Sequence, residues 1–179
     1  MRRMMSRLIL GLSCVLALAA CDKARPRHLP PDPFAAPPAP AAAPVAGEGL
    51  SAGLPKRPQV PAFTLDHAGA ASDPLNRQPA VTPGGTPTVF DGFGFDGLAK
   101  APAKGVDVVI DGKAYGTAYG ATRADVAAYF KTPGLAGVGF TATAPAADLA
   151  PGPHTVVVRV ITADGTAYYE SPPIAFVVK

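Results

Sequence analysis

The amino-acid sequence predicts an all-β domain over residues 88–179, a two-sheet β-sandwich interrupted by one short helix. Three observations predict it. Runs of β-branched and aromatic residues alternate at period two, as in Ile174-Ala175-Phe176-Val177-Val178. Asp111-Gly112 separates two such runs, the pair that a two-residue hairpin turn favours because both turn positions need positive φ, and Ala163-Asp164-Gly165 marks a turn between two more. And 11 of the 13 aromatics of the chain fall within these 92 residues, a span the size of one sandwich domain. The 22 Pro and 19 Gly among 179 residues speak against a uniformly helical protein.

The elements follow in order. Thr88–Phe95 reads as the first strand, with apolar residues at 89, 93 and 95 and glycines between them. Val106–Ile110 and Lys113–Ala118 form a hairpin about Asp111-Gly112, which places Val108 opposite Tyr115, Val106 opposite Thr117, and Asp107 on a solvated face. Thr122 followed by Asp125 is a variant capping box, so a helix starts there, turns Val126, Tyr129 and Phe130 to one side, and stops at Thr132-Pro133-Gly134 to plug one end of the sandwich. Val138–Thr143 is another strand and Pro151-Gly152-Pro153 the turn into the next, His154–Ile161. Thr166–Glu170 pairs with it. Pro172-Pro173 offers no N–H to a ladder, so the chain changes sheet or kinks before its last strand at 174–178.

The net charge of +3 and the isoelectric point near 9.0 suggest a nucleic-acid binder until the cations are located. Arg2, Arg3 and Arg7 precede the apolar run Leu8–Ala20, which has the length of a signal-peptide core and is short for a bilayer span. Without residues 1–20, 13 basic residues balance 13 acidic ones, and the expectation is no nucleic-acid partner. Leu18-Ala19-Ala20-Cys21 resembles the lipobox of bacterial lipoproteins. That resemblance implies cleavage before Cys21, diacylglycerol on its sulfur and acylation of the new amino terminus, a multi-chain membrane anchor. Asp22 resembles an inner-membrane retention signal, although the rule varies among bacterial lineages and the outer membrane stays open. The expected location is the cell envelope, facing the periplasm.

From residue 21 to residue 87 the chain reads as a Pro/Ala-rich disordered tether. Asp22 to Pro87 holds 15 of the 22 prolines and only two aromatics, Phe34 and Phe63, too little apolar surface to offset the entropy of ordering.

Over residues 88–179 a set of landmarks resembles a bacterial immunoglobulin-like module. They are Val106–Gly112, Tyr119-Gly120, Arg123–Ala127, Gly139-Phe140, Leu149–Thr155, Val158–Val160 and Asp164-Gly165. The family usually has Pro where Ala124 stands and often Trp where Phe93 stands. The resemblance implies a noncatalytic spacer or a surface for protein or polysaccharide, with no shared catalytic residues.

The residues agree that no active site is built here. His28, His67 and His154 share no metal-ligand spacing, and Asp91, Asp96, Asp107 and Asp111 lack the Asp-x-Asp-x-Asp pattern of a calcium loop. Ser171 is the single serine of 88–179 and stands in no nucleophile elbow, and Gly92–Gly97 is followed by no Lys-Ser/Thr. The expectation is no enzyme, no metal and no cofactor. Tyrosine and arginine anchor interfaces most often, so the candidate binding surface is Tyr115, Tyr119, Arg123, Tyr129, Tyr168 and Tyr169, with cross-strand or core packing as the alternative. Together these readings predict a lipid-anchored envelope protein whose sandwich binds or scaffolds a protein or cell-wall polysaccharide. The alternatives are a purely structural spacer and a small envelope hydrolase.

Overall fold

The computed structural model describes residues 49–179, so the leader, Cys21, His28 and the tether up to residue 48 lie outside the described residues. The strands are β1 (Ala62–Ala68), β2 (Ala71–Ser72), β3 (Ala80–Thr82), β4 (Thr88–Asp96), β5 (Ala101–Pro102) and β6 (Gly105–Ile110), then β7 (Lys113–Gly116), β8 (Ala118–Ala121), β9 (Gly139–Ala144), β10 (Gly152–Ile161), β11 (Tyr168–Glu170) and β12 (Ile174–Val178). The helix α1 (Ala124–Tyr129) and a 3₁₀ turn at Pro133–Gly137 lie between β8 and β9.

These strands make two sheets of six. The front sheet runs β2-β1-β4-β9-β8, with β5 beside the end of β4. The back sheet runs β3-β12-β10-β6-β7, with β11 beside β10. Apolar side chains from both inner faces interlock, and Phe90 of the front sheet meets Phe176 of the back sheet edge-on, ring centroids 5.5 Å apart. Val106, Val108, Val156, Val158 and Val160 fill the back half of the core, which suits β-branched side chains on a pleated surface. The sheets approach closely at Gly94, where a Cβ would stand 2.9 Å from Val160 and 3.2 Å from Val106.

Much of the element order matches the sequence reading. Asp111 and Gly112 carry φ of 47° and 86° at the expected hairpin turn, and Val108 faces Tyr115 while Asp107 faces Gly116. The hairpin is shorter than expected. After Gly116 the chain crosses at Thr117, whose hydroxyl donates to the Val106 carbonyl at 2.6 Å, and β8 joins the front sheet.

Four expectations are corrected. The tether does not extend to residue 87, because β1 pairs with β4 from Ala62 to Ala68 and β3 pairs in parallel with the last strand, β12. The prolines of this stretch, at 55, 58, 61, 74, 79, 83 and 87, all fall outside the strands, and the short run they bracket packs Phe63, Leu65 and Ala68 into the core. The faces of β4 are reversed as well. Phe90, with Gly94, faces the other sheet, while Phe93 and Phe95 point outward.

The helix is capped at Arg123 with no side-chain cap bond, and Thr122 plays no part in it. It lies on the outer face of the front sheet instead of plugging an end, because Val126, Leu135 and Val138 cover the outward Phe95 in a second small cluster. At Pro172-Pro173 the kink, one of the two outcomes expected there, is the one found, and the chain stays in the back sheet. β11 and β12 pair in succession with the two halves of β10, and the prolines mark the kink between them.

Asp107 is the fourth correction, for its side chain is wholly buried. Its two carboxylate oxygens accept the backbone N–H groups of Leu50 and Ser51 at 3.0 and 2.7 Å. The arm 49–57 thus lies on the outer face of the back sheet, and it is pinned again where Arg57 N–H donates to the Tyr168 carbonyl at 2.8 Å. Arg159, directly opposite Asp107 on β10, donates to Glu170 at 2.8 Å and reaches Ser51 Oγ at 3.4 Å, and Lys56 closes on Glu170 at 2.6 Å.

Two outcomes follow from this arm. Asp107→Ala strands two N–H groups and should cost about 1–3 kcal/mol in urea unfolding, with Asp107→Asn costing less because one acceptor survives. A fragment beginning at residue 88 lacks β1, β3 and the arm and should lose the cooperative transition that residues 40–179 retain, as read by thermal unfolding.

Candidate functional site

The site is built on the outward side of β4. Alternation that sends Phe90 into the core sends Phe93 out, between Thr64 of β1 and Gly139 of β9. Gly139 carries no side chain to hold Arg123 away: a Cβ there would stand 3.2 Å from Arg123 Cγ and 2.9 Å from the Ala121 carbonyl oxygen. Arg123 therefore lies across β9, its guanidinium 5.1 Å from the centroid of the Phe93 ring.

Two carboxylates hold that guanidinium in place. Asp66, where the pairing of β1 with β4 shifts register, accepts from Arg123 Nη1 at 2.7 Å and from the Thr64 hydroxyl at 2.6 Å. Asp125 accepts from Nε at 3.0 Å and Nη2 at 2.8 Å, a bidentate pair. Hydrogen bonding to Arg123 holds the Asp125 carboxyl down to about 2.

Beside this network α1 sets two aromatic rings at the surface. Phe130 stands edge-on to Phe95 at 4.9 Å and Tyr129 edge-on to Phe130 at 5.0 Å, with exposures of 41% and 82%. Thr64, Phe93, Asp125, Val126, Tyr129 and Phe130 line an open depression of about 430 Å³. Along the same face a second depression of about 290 Å³ is lined by Asp66, Asp91, Arg123 and Thr141. His67 Nδ1 lies 2.9 Å from Asp91, which raises the imidazole pKa chiefly through that hydrogen bond.

The six residues expected to form one surface do not gather as one. Tyr115 is buried and its hydroxyl donates to Asp148 at 3.0 Å, with burial first and that carboxylate second pushing its pKa up to about 12. Tyr169 is buried with its hydroxyl on Asp96 at 3.2 Å. Tyr119 is half-buried, donating to the Gly94 carbonyl at 2.9 Å and accepting from Ala103 N–H at 3.0 Å. Tyr168 belongs to the back sheet, under the Arg159 guanidinium at 5.1 Å. Arg123 and Tyr129 alone share the front-face site. Phe93, Phe130, Thr64, Asp66 and Asp125 complete it, and the sequence signals them only by setting Phe93 on the face of β4 opposite Phe90, without saying which face is outward.

Other candidate chemistry is spent on structure. The Ser171 side chain is buried, its hydroxyl accepting from Val158 N–H and donating to the Pro172 carbonyl, both at 2.9 Å. Asp91, Asp96, Asp107 and Asp111 lie apart: Asp91 is on the front face, Asp107 is under the arm, and Asp111 is in the hairpin turn. Asp96 ties the end of β4 to the 162–164 turn. Burial raises its pKa, and the N–H groups of Ala163, Ala99 and Leu98 with the Tyr169 hydroxyl outweigh that and lower it. Among the described residues no three His, Cys, Asp or Glu side chains gather for a metal ion. No protein-family model matches the chain, and neither a curated protein nor a solved structure matches it.

His154 joins the hairpin turn to the start of β10. Nδ1 lies 2.6 Å from Asp111 Oδ2 and Nε2 lies 2.7 Å from the Ala150 carbonyl oxygen, so both ring nitrogens face acceptors and the doubly protonated ring satisfies both. Burial lowers its pKa, and the Ala150 carbonyl and Asp111 outweigh that and raise it above 6.5. The stability gained is complete below 6.5 and is lost as pH rises through the higher folded value. Melting temperatures of the wild type and His154→Gln, measured between about pH 5 and about pH 9, should therefore differ most in acid and converge toward alkali. A constant gap would contradict the cationic ring.

Proposed function

We infer that the chain is a lipid-anchored cell-envelope protein whose β-sandwich is a noncatalytic binding module, and that its binding surface is the outer face of the front sheet. The observation that carries the binding assignment is the juxtaposition there of exposed Tyr129 and Phe130 with Phe93 and the immobilised Arg123. Large aromatics at a surface are costly to leave in water, and rigid aromatic and guanidinium groups are what interfaces use as anchors. The structural use of the Ser171 hydroxyl and the separation of the acidic residues support the noncatalytic reading.

Anchoring rests on the Leu18-Ala19-Ala20-Cys21 sequence. With folding under way by Gly49, the chain between Cys21 and Gly49 comprises 27 residues. That length gives a reach of about 30 Å as a coil and about 85 Å fully extended, shorter than a tether running to residue 87 would give.

Cys21→Ser should release the protein from membranes and abolish labelling by a palmitate analogue. In the same cells a photo-crosslinker at position 129 should capture an envelope component, and one at position 168 on the other sheet should not. Persistent labelling would overturn the anchor, and equal capture from both positions would overturn the binding face.

A further inference from the structure

We propose that the front-face site is a subsite for a neutral, pyranose-based polysaccharide, the chain of sugars running from the Phe93-Tyr129-Phe130 depression into the Asp66-Asp91-Thr141 depression across Arg123. The inference rests on the binding-face reading above and commits it to one class of ligand.

The shape favours a polymer. Both depressions are open troughs on one face, of about 430 and 290 Å³, and a small-molecule pocket would instead enclose most of its ligand. The site is also continuous. Thr64 and Asp66 follow one another on β1, Phe93 and Asp91 on β4, and Arg123 joins the halves by covering Phe93 and bonding Asp66.

The chemistry favours sugar. A pyranose ring has an apolar C–H face and an equatorial belt of hydroxyls, so it needs a flat aromatic surface with charged donors and acceptors at its edge. The apolar lining here is aromatic apart from Val126. Its edge holds a guanidinium fixed by two carboxylates, which donates to sugar oxygens, and carboxylates with free lone pairs, which accept from sugar hydroxyls. Fixing Arg123 beforehand matters because a flexible arginine would have to be ordered on binding, and that cost would come out of the affinity.

The charge selects among polymers. Asp66, Asp91 and Asp125 face one guanidinium, so the face is negative whether or not His67 carries a second proton, and it repels a uronate or phosphate polymer. A basic peptide would match the sign and the aromatic rings, but it would have to compete with Arg123 for Asp66 and Asp125, whereas an uncharged chain leaves those pairs intact.

The test uses residues 22–179, which keep every described element. Co-sedimentation is measured with insoluble chitin, insoluble cellulose and isolated cell-wall sacculi as probes, and with soluble polygalacturonate and poly-L-lysine in parallel titrations. The expected result is saturable binding to chitin or cellulose, the uncharged probes, weakened about tenfold or more by Tyr129→Ala and by Phe93→Ala and unchanged by Tyr168→Ala, whereas binding to sacculi or polygalacturonate alone would overturn the neutral ligand. Tyr129 is 82% exposed, so its replacement leaves the core untouched, and an unaltered melting temperature checks that.

Binding that survives Tyr129→Ala would overturn the proposed site. Binding to poly-L-lysine alone, lost in Tyr129→Ala, would replace the glycan by a basic protein partner and leave the binding face standing. Binding to none of the probes, with position-129 crosslinking still selective in cells, would overturn the polysaccharide and spare the face. Loss of both would overturn both.

Discussion

The Asp107 carboxylate lies in the middle of a sheet and out of contact with water, and the arrangement of the back of the molecule follows from keeping it satisfied. A buried, unpartnered carboxylate would be too costly to keep, so two backbone N–H groups must reach it, and Leu50 and Ser51 supply them. That brings the arm onto the sheet. Gly49 is required at the point of approach, since a Cβ there would fall 2.5 Å from the carboxylate. With the arm in place Ser51 meets Arg159, Arg159 meets Glu170, and Glu170 meets Lys56 further along the same arm. Burial raises the Glu170 pKa, and the two cations outweigh that and hold it low, so this chain of contacts stays charged at neutral pH.

The parts of this fold that were legible in the sequence are those whose signal is local. Asp111-Gly112 announced its hairpin because a tight turn with two positive φ angles admits few residue pairs, and β12 announced itself by alternation over five residues. β1 does not, since its seven residues lie between prolines whose density is the signature of disorder and a bulge at Asp66 breaks its alternation. Asp107 looked solvated because nothing in its own strand reveals a cover arriving from 56 residues upstream. Burial of a polar residue by a distant segment is a tertiary fact, and period-two reasoning has no access to it.

The candidate site was half legible for a related reason. Residue type pointed to Arg123 and Tyr129, but it pointed equally to Tyr115 and Tyr169, whose rings are buried and whose hydroxyls bond Asp148 and Asp96. What separates them is which face of which strand each occupies. β4 bears aromatics on both faces, Phe90 inward and Phe93 and Phe95 outward, so its pattern carries no clue to which side meets the other sheet. The short helix resolves it in the folded protein by covering Phe95 and leaving Phe93 open, and Gly139 then admits Arg123 alongside.

The arm meets the sandwich on the outward side of the back sheet, and the aromatic depression opens on the outward side of the front sheet. A domain held from behind presents its opposite side to whatever lies beyond it. Were the chain held through the residues before Gly49 and a partner bound at the aromatic depression, as proposed, tension between them would cross the thickness of the sandwich, about 10 Å between sheet planes. Such a load would pull on the packing between the sheets and on the Asp107 clasp, and would not unzip the strand ladders from an edge. The arm, held by few hydrogen bonds, would yield first, lengthening the leash and leaving the front face intact.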